Sequence, residues 1–231
     1  MEIKVFGYEP TSLVEWPGKI VSIIFLDKCN FRCPFCHNSS LVLESDKLES
    51  INFFEVLEDI ASKKEWVDAV EITGGEPTLH PELKQILQQI KKQGFLTKLD
   101  TNGTFPDKIK ELLDKKLIDY IAMDVKNCFE KYSETAGVKA DIEKIKKSIE
   151  IIKKSAPDYE FRTTVLPKHH TKEDIKKISQ HLKGAKKYII QNFRPLNTLN
   201  PDYMNEKSFS EAQLKALKET AEKYIEKVEY R

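Results

Sequence analysis

An apolar run at residues 20–26, Ile-Val-Ser-Ile-Ile-Phe-Leu, is followed by Cys-Asn-Phe-Arg-Cys-Pro-Phe-Cys-His-Asn at residues 29–38. The run is typical of a buried β-strand, so the cysteines are expected on the loop at the strand's carboxyl end. Cys29, Cys33 and Cys36 offer thiolates, which soft metals and iron–sulfur clusters prefer as ligands. Three thiolates are one ligand short of a closed tetrahedral site, and an open coordination position is typical of a catalytic metal centre.

Beyond the cysteines, short apolar strands alternate with amphipathic helices. Strands are predicted at 69–73, 95–99, 118–125, 159–166 and 187–193, and helices at 81–93, 106–116, 141–154, 172–182 and 211–228. This alternation implies a parallel sheet with right-handed crossovers. About six β/α units are present, fewer than a closed eight-stranded barrel needs. We therefore predict a partial, open (β/α)6 TIM-like barrel, with a doubly wound open sheet as the alternative.

Polar motifs follow the predicted strands, at the ends where parallel β/α folds gather their functional residues. They are Gly-Gly-Glu-Pro at 74–77, Asp-Thr-Asn-Gly at 100–103, Asp-Val-Lys at 124–126, Arg162 in the next strand, and Gln-Asn-Phe-Arg-Pro at 191–195. Two adjacent glycines let the backbone approach a ligand closely, and Glu76 can accept from an ammonium group. Taken alone, residues 100–103 are equally typical of a turn or helix cap, and Lys126 of an exposed lysine.

Composition excludes several classes of protein. Lys and Arg number 38 against 37 Asp and Glu, so the formal net charge of +1 does not favour nucleic acid or an anionic membrane as a partner. No apolar stretch approaches the roughly 18 residues that span a bilayer, and no secretory signal is visible. The clustered cysteines do not resemble a secreted disulfide framework, so we expect a cytoplasmic protein. A single domain over 1–231 is predicted, with a lead-in at 1–19, the barrel at 20–195 and a C-terminal loop and helix at 196–231.

The spacing Cys-x3-Cys-x2-Cys, with Phe35 before the last cysteine, is the signature of the radical S-adenosylmethionine (SAM) superfamily, which this chain resembles over nearly its whole length. Residues 74–77 resemble the glycine-rich motif of that superfamily. The resemblance implies that the three cysteines hold a [4Fe–4S] cluster, with Phe35 as an apolar shield. It also implies that SAM chelates the open iron, with Gly74, Gly75 and Glu76 near the cofactor's amino group.

Within the superfamily, residues 100–103 and 124–126 resemble the activases of glycyl-radical enzymes. The resemblance implies that Asp100, Thr101 and Asp124 lie near the methionyl carboxylate of SAM, where some members bind a monovalent cation. Lys126 is expected to contact the cofactor, and Arg162 matches a position used for the same carboxylate.

Two further positions carry the resemblance. Activases of this group have His-Asn directly after the third cysteine, so Asn38 is expected to contact the cofactor or a cluster sulfide, with a turn residue as the alternative. Gln191 stands where some activases have a histidine near the adenine and ribose, which leaves that contact open. His37 is not expected to be a ligand because adjacent side chains seldom bind one ion. Cys128, His169 and His170 receive no role, and the two histidines are expected at the surface.

The lead-in specifies the resemblance further. Thr-Ser-Leu-Val-Glu-Trp-Pro-Gly-Lys at 11–19 resembles the activating proteins of anaerobic ribonucleoside-triphosphate reductase. No second cysteine cluster lies between Asn38 and Gly74, which argues against the decarboxylase and dehydratase activases. The resemblance implies that the reduced cluster cleaves SAM to methionine and a 5′-deoxyadenosyl radical, which generates a glycyl radical on a partner enzyme. The expected electron donor is a flavodoxin or a ferredoxin.

Two alternatives differ in class. One is a radical SAM enzyme that acts on a small molecule, as the carboxy-deazaguanine synthases do, and a pyruvate formate-lyase activase is a related possibility. The other is a non-catalytic zinc-binding interaction module, which would need a fourth ligand beside Cys29, Cys33 and Cys36.

Overall fold

The computed structural model describes residues 3–231, so Met1 and Glu2 of the predicted lead-in lie outside the described residues. The strands are β1 (Lys4–Val5), β2 (Gly7–Ser12), β3 (Val21–Leu26), β4 (Ile51–Asn52), β5 (Ala69–Gly74), β6 (Leu96–Thr101), β7 (Tyr120–Asp124), β8 (Asp158–Val165), β9 (Lys187–Asn192) and β10 (Lys227–Tyr230). The helices are α1 (Ser39–Leu43), α2 (Phe53–Ser62), α3 (Leu83–Lys92), α4 (Pro106–Asp114), α5 (Tyr132–Ala136), α6 (Ile142–Ser155), α7 (Lys172–His181) and α8 (Glu211–Ala221).

One eight-stranded sheet, in the order β10-β9-β8-β7-β6-β5-β3-β2, forms the centre of the molecule. From β3 to β10 its strands run parallel, whereas β2 pairs antiparallel with β3 and covers that edge. Within residues 3–231, no strand pairing joins β2 to β10, so the sheet is open on one side. Phe25 of β3 and Gln191 of β9 nevertheless line one cavity, which requires the sheet to curl. The predicted partial barrel is confirmed.

The helices cover the outer face of this sheet with apolar side chains at helical spacing. In α3, Leu83, Ile86, Leu87 and Ile90 are all buried. The helix gives way to a turn at Gly94, whose φ of +83° favours glycine. None of the helices among residues 3–231 is long and apolar enough to cross a membrane.

The predicted long helix over 211–228 is wrong in its second half. Helix α8 ends at Ala221, and residues 227–230 form β10, which pairs in parallel with β9. Neither Gly nor Pro marks the turn between them, so the sequence read as one continuous helix. Alternation provides the missing signal, because Val228 is buried between the more exposed Lys227 and Glu229. The C-terminal segment therefore extends the barrel.

Two glycines allow the loop after β5 to pack against the loop that carries the cysteines. Gly75 N donates to Leu26 O at 2.8 Å, and Glu76 N donates to Lys28 O at 2.8 Å. A Cβ atom on Gly74 would overlap Leu26 O, and one on Gly75 would overlap Lys28 O. Gly74 also has a φ of +110°. The motif is thus required by backbone packing against the cysteine loop.

We expect Gly74→Ala to destabilise the metal-free protein by about 2 kcal/mol more than Gly184→Ala. Both glycines have positive φ, at +110° and +80°, so both substitutions introduce backbone strain of about 1 kcal/mol. Only at Gly74 does the new methyl group meet backbone atoms, because nothing lies within 4 Å of a Cβ on Gly184. Chemical denaturation measures the two free energies of unfolding. Equal losses would contradict this packing argument.

Candidate active site

A cavity of about 400 Å³ opens at the carboxyl ends of the parallel strands. All of the side chains and glycines predicted for the site line it: Cys29, Cys33, Phe35, Cys36, Asn38, Gly74, Gly75, Glu76, Asp100, Thr101, Asp124, Lys126, Arg162 and Gln191. They come from distant parts of the sequence, and the curled sheet brings them together.

The cysteine loop is fastened by backbone hydrogen bonds from two other segments. Arg32 N donates to Ala136 O at 2.8 Å, at the end of α5. On another side, Leu199 N donates to Cys36 O and Asn200 N to Pro34 O, both at 2.9 Å. These contacts, with those of the glycine motif, hold the loop on three sides.

The three thiols fit a cluster better than a single ion. Burial raises the pKa of Cys29 and Cys36, and raises that of Cys33 to about 12. Bound metal cations are therefore needed to hold the three side chains as thiolates. Among residues 3–231, no group of three or more His, Cys, Asp and Glu side chains is arranged to hold one metal ion. In an iron–sulfur cluster each thiolate binds a different iron, so the thiols can lie further apart.

Glu76 connects three loops of the site. Its carboxylate is 1% exposed. It accepts from Thr78 N at 3.0 Å and Thr101 Oγ1 at 2.8 Å, from Asn102 N at 2.6 Å, and from the Thr78 hydroxyl. Burial raises the pKa of Glu76, while these donors favour its ionised form. Oε1 therefore receives three donors from within the chain, whereas Oε2 receives one.

A chain of alternating charges crosses the barrel interior. Arg162 Nη2 lies 2.6 Å from Asp100 Oδ2, and Arg162 Nε lies 3.0 Å from Asp124 Oδ1. Lys126 Nζ lies 2.9 Å from Asp124 Oδ2. Burial by itself would raise the pKa of Asp124, but Lys126 and Arg162 hold it well below its ordinary value. At the other end, Lys98, fully buried and absent from the sequence prediction, lies 2.6 Å from Asp100 Oδ1.

Three amide side chains have defined partners. Asn38 Nδ2 donates to Gly74 O at 2.6 Å, which ties the end of the cysteine loop to the glycine motif. Asn102, named in a motif but given no role, donates to Asn30 Oδ1 at 2.9 Å and lies 3.9 Å from Cys29 Sγ. Gln191, with its amide oxygen toward Arg231, accepts from that guanidinium at 3.0 Å.

The prediction that His169 and His170 lie at the surface is wrong. Both are buried. His169 Nε2 lies 2.8 Å from Tyr203 Oη, and its ring packs 6.0 Å from that of Phe35. His170 Nε2 donates to Lys126 O at 2.9 Å, and Leu166 N donates to its Nδ1 at 3.4 Å. The two rings thus support residues of the cavity wall. Their position just past a strand end was the available signal.

Cys128 and His37 lie outside any ligand set. Cys128 is buried, contacts Asp174 Oδ1 at 3.5 Å and does not line the cavity. His37 Nε2 lies 2.8 Å from Arg194 O, and its ring stacks on Phe193 at 6.0 Å.

The comparisons with known proteins agree with this geometry. Residues 23–182 match the model of the radical SAM superfamily, and the chain belongs to that superfamily, whose members use a [4Fe–4S] cluster and SAM. A Methanocaldococcus jannaschii protein, provisionally described as a glycyl-radical enzyme activating enzyme, is 38% identical over 233 residues, covering 99% of this chain and 95% of its own. The chain thus has relatives among the glycyl-radical enzyme activating enzymes.

Two more distant proteins are similar. The pyruvate formate-lyase-activating enzyme of Clostridium pasteurianum is 27% identical over 206 residues, with 85% of this chain and 83% of that enzyme covered. The crystal structure of SuiB from Streptococcus suis superposes with a TM-score of 0.68 at 18% identity, over 91% of this chain and 48% of SuiB. At that identity the structural likeness concerns the fold alone.

His170 should make the protein less stable in acid. Burial lowers its pKa to about 4, so the folded state favours the neutral ring. The resulting stability is present above the ordinary pKa near 6.5 and is lost as pH falls from there toward about 4, by on the order of 3 kcal/mol. His170→Gln should remove this part of the pH dependence, since its amide can still donate to Lys126 O. Denaturant unfolding of both proteins from pH 7 to pH 4 checks this. Parallel curves would contradict it.

Proposed function

We propose that this protein uses SAM and a [4Fe–4S] cluster to activate a glycyl-radical enzyme, and that this partner is anaerobic ribonucleoside-triphosphate reductase. One observation carries the proposal. Cys29, Cys33 and Cys36 lie on one loop and line the cavity, and among residues 3–231 no three His, Cys, Asp or Glu side chains are arranged to hold a single metal ion. An iron left without a protein ligand is the position that SAM occupies in this proposal.

The three cysteine thiolates hold the cluster, and Phe35 shields it. The Phe35 ring is buried and packs against Phe193 at 6.4 Å and against His169. An apolar shell excludes water, and such exclusion influences the reduction potential of a cluster. When bound, the cluster would supply one electron for the cleavage of SAM to methionine and a 5′-deoxyadenosyl radical, which would take a hydrogen atom from a glycine of the partner.

The strand ends beside the cluster hold SAM in this proposal. Arg162 and Lys126 are cations in the cavity wall, suited to the methionyl carboxylate. Both already pair with Asp100 or Asp124, so the cofactor's carboxylate would add a negative charge to a balanced chain. A monovalent cation beside Asp100, Thr101 and Asp124 would offset that charge.

The remaining cofactor contacts divide into two sets. In this proposal Gly74, Gly75, Glu76 and Asn38 lie near the amino end of SAM, and Glu76 also fixes the loop through its hydrogen bonds. Gln191 lies toward the adenosine end.

The lead-in supports the choice of partner. Residues 11–19 resemble the corresponding segment of the anaerobic reductase activases, and the chain holds them where Glu15 reaches the cavity. A cytoplasmic location and a flavodoxin or ferredoxin as electron donor accompany this proposal.

The experiment is a two-stage assay under strict exclusion of oxygen. Reconstituted protein receives dithionite and SAM, and 5′-deoxyadenosine is measured by chromatography. Anaerobic ribonucleoside-triphosphate reductase or pyruvate formate-lyase is then added, and the glycyl radical is measured by electron paramagnetic resonance. We expect 5′-deoxyadenosine in the first stage and a radical on the reductase in the second. A radical on pyruvate formate-lyase alone would reassign the partner, and 5′-deoxyadenosine with neither would favour a small-molecule substrate.

Cys33→Ser should lower 5′-deoxyadenosine formation on the order of 100-fold or more, because the hydroxyl is a poor replacement for a thiolate ligand. Cys128→Ser is the matched control, since Cys128 is also a buried free cysteine but does not line the cavity. We expect this control to retain activity. Equal losses in both variants would contradict the assignment of the ligands.

A further inference from the structure

The outer side of the cysteine loop carries positive charge that no role above explains. Residues 29–43 and 193–201 contain two permanently cationic side chains, Arg32 and Arg194, and neither Asp nor Glu. Both arginines are exposed and neither lines the cavity, so they face solvent outside it. Because the whole chain has a formal net charge of only +1, these two segments form a positive region of a nearly neutral protein.

The two segments touch each other beside the third cysteine. The N–H groups of residues 199–200 donate to carbonyl oxygens within residues 34–36, both at 2.9 Å. His37 Nε2 lies 2.8 Å from Arg194 O. The second segment therefore lies directly against the loop that carries the cluster ligands. We call the exposed side chains on and against this loop the cationic face, which comprises Arg32, His37, Arg194 and Leu196.

Neither arginine of the cationic face has a carboxylate partner. Among residues 3–231, no Asp or Glu oxygen lies within 4.0 Å of the Arg32 or Arg194 guanidinium. By contrast, Arg162 and Arg231 both approach acids. Arg32 Nη1 donates to two backbone carbonyls of the cysteine loop, at 2.6 and 2.8 Å, which leaves its charge uncompensated. Within the same described range, Arg194 forms hydrogen bonds only through its backbone.

The acids that border these segments along the chain do not cancel this charge. They are Asp27, Glu44 and Asp202. Asp27 Oδ2 lies 4.0 Å from Lys28 Nζ, and Glu44 Oε1 lies 2.9 Å from Lys47 Nζ, so each of these acids has its own cation. Only Asp202 has no cation within 4.0 Å in the part of the chain that the structure describes. One carboxylate therefore stands against two guanidinium groups.

A protein that delivers electrons fits a surface at this place. The loop beneath the cationic face carries all three proposed cluster ligands, so only this loop separates a docked carrier from the cluster. Encounters between electron carriers are weak, use small interfaces and depend on charge complementarity to bring the partners together. Arg32 and Arg194 supply the charge, and Leu196, which is 64% exposed, supplies an apolar contact.

We propose that the cationic face, through Arg32 and Arg194, is the docking surface for an acidic protein that carries one electron. This inference rests on the proposed function, because it takes the loop to hold a reducible cluster. The carrier loses one electron and the cluster gains it, and no bond forms or breaks. The glycyl-radical partner must reach the cavity itself, which neither arginine lines, so the face is free for a different protein.

The test reverses one charge on the cationic face and one elsewhere. Arg194→Glu is the chosen variant, because Arg32 also braces the cysteine loop through its hydrogen bonds. Lys92→Glu is the matched control. It makes the same change of charge at an exposed residue that ends α3, at the end of the barrel where β6 begins. Arg194→Gln, which only removes the charge, is the milder variant.

Reconstituted proteins receive SAM and either reduced flavodoxin of acidic composition or dithionite, a small reductant that needs no docking surface. The rate of 5′-deoxyadenosine formation is measured for each reductant, and the Kd for oxidised flavodoxin is measured by calorimetry. We expect Arg194→Glu to lower the flavodoxin-dependent rate and weaken the Kd about tenfold at low salt, with a smaller loss in Arg194→Gln. The loss should largely disappear near 1 M salt, where the Debye length is about 3 Å. The dithionite-dependent rate of both variants, and both rates of Lys92→Glu, should match the wild type.

Three results would overturn the proposal: wild-type behaviour of Arg194→Glu with flavodoxin, an equal loss in Lys92→Glu, or an equal loss with dithionite. A wild-type protein that dithionite activates but neither flavodoxin nor an acidic ferredoxin can reduce would overturn it as well. All four results leave the proposed function intact. If the wild type forms no 5′-deoxyadenosine even with dithionite, the proposed function fails and this inference fails with it, so the two failures are distinguishable.

Discussion

The carboxylate of Glu76 is the constraint on which the site depends. It accepts hydrogen bonds from Thr78 in its own loop and from Thr101 and Asn102 after β6, while Glu76 N donates to Lys28 O beside the cysteines. The loops that follow β3, β5 and β6 are thereby held in fixed positions relative to one another. Because the side chain is almost fully buried, losing any of these donors would leave its charge less well compensated. These contacts position the cysteine loop at the mouth of the cavity.

Below these loops, the side chains of the barrel interior lie in layers. Thiols and backbone groups lie at the strand ends, the Asp100–Arg162–Asp124–Lys126 chain lies beside them, and Lys98 with Glu71 lies beneath. Buried ion pairs contribute little net stability, since desolvation offsets their attraction. Their value here is positional, because Asp100, Arg162 and Asp124 are each held by two oppositely charged neighbours. A site that handles a charged cofactor then needs little reorganisation when the cofactor binds.

Sequence alone was enough for the open barrel and for the residues that line the cavity, because strand ends carried recognisable motifs. The contacts within the site could not be predicted from the sequence. Lys98 and Glu71 sit inside strands, where polar residues usually face solvent, and only the curl of the sheet shows that they point inward. The prediction of a helix was wrong for the second half of 211–228 because residues 222–226 connect α8 to β10 without Gly or Pro. The prediction that His169 and His170 lie at the surface was wrong because an isolated His-His pair shows no periodicity that would indicate burial.

The central claim is that three thiolates hold a cluster with one iron open to SAM. Iron, sulfide and zinc content of anaerobically reconstituted protein, together with electron paramagnetic resonance of the reduced sample before and after SAM is added, tests it most directly. The account predicts about four iron and four sulfide atoms per chain, and a signal whose g values shift when SAM binds. Stoichiometric zinc without sulfide, or a cluster signal that SAM leaves unchanged, would contradict it.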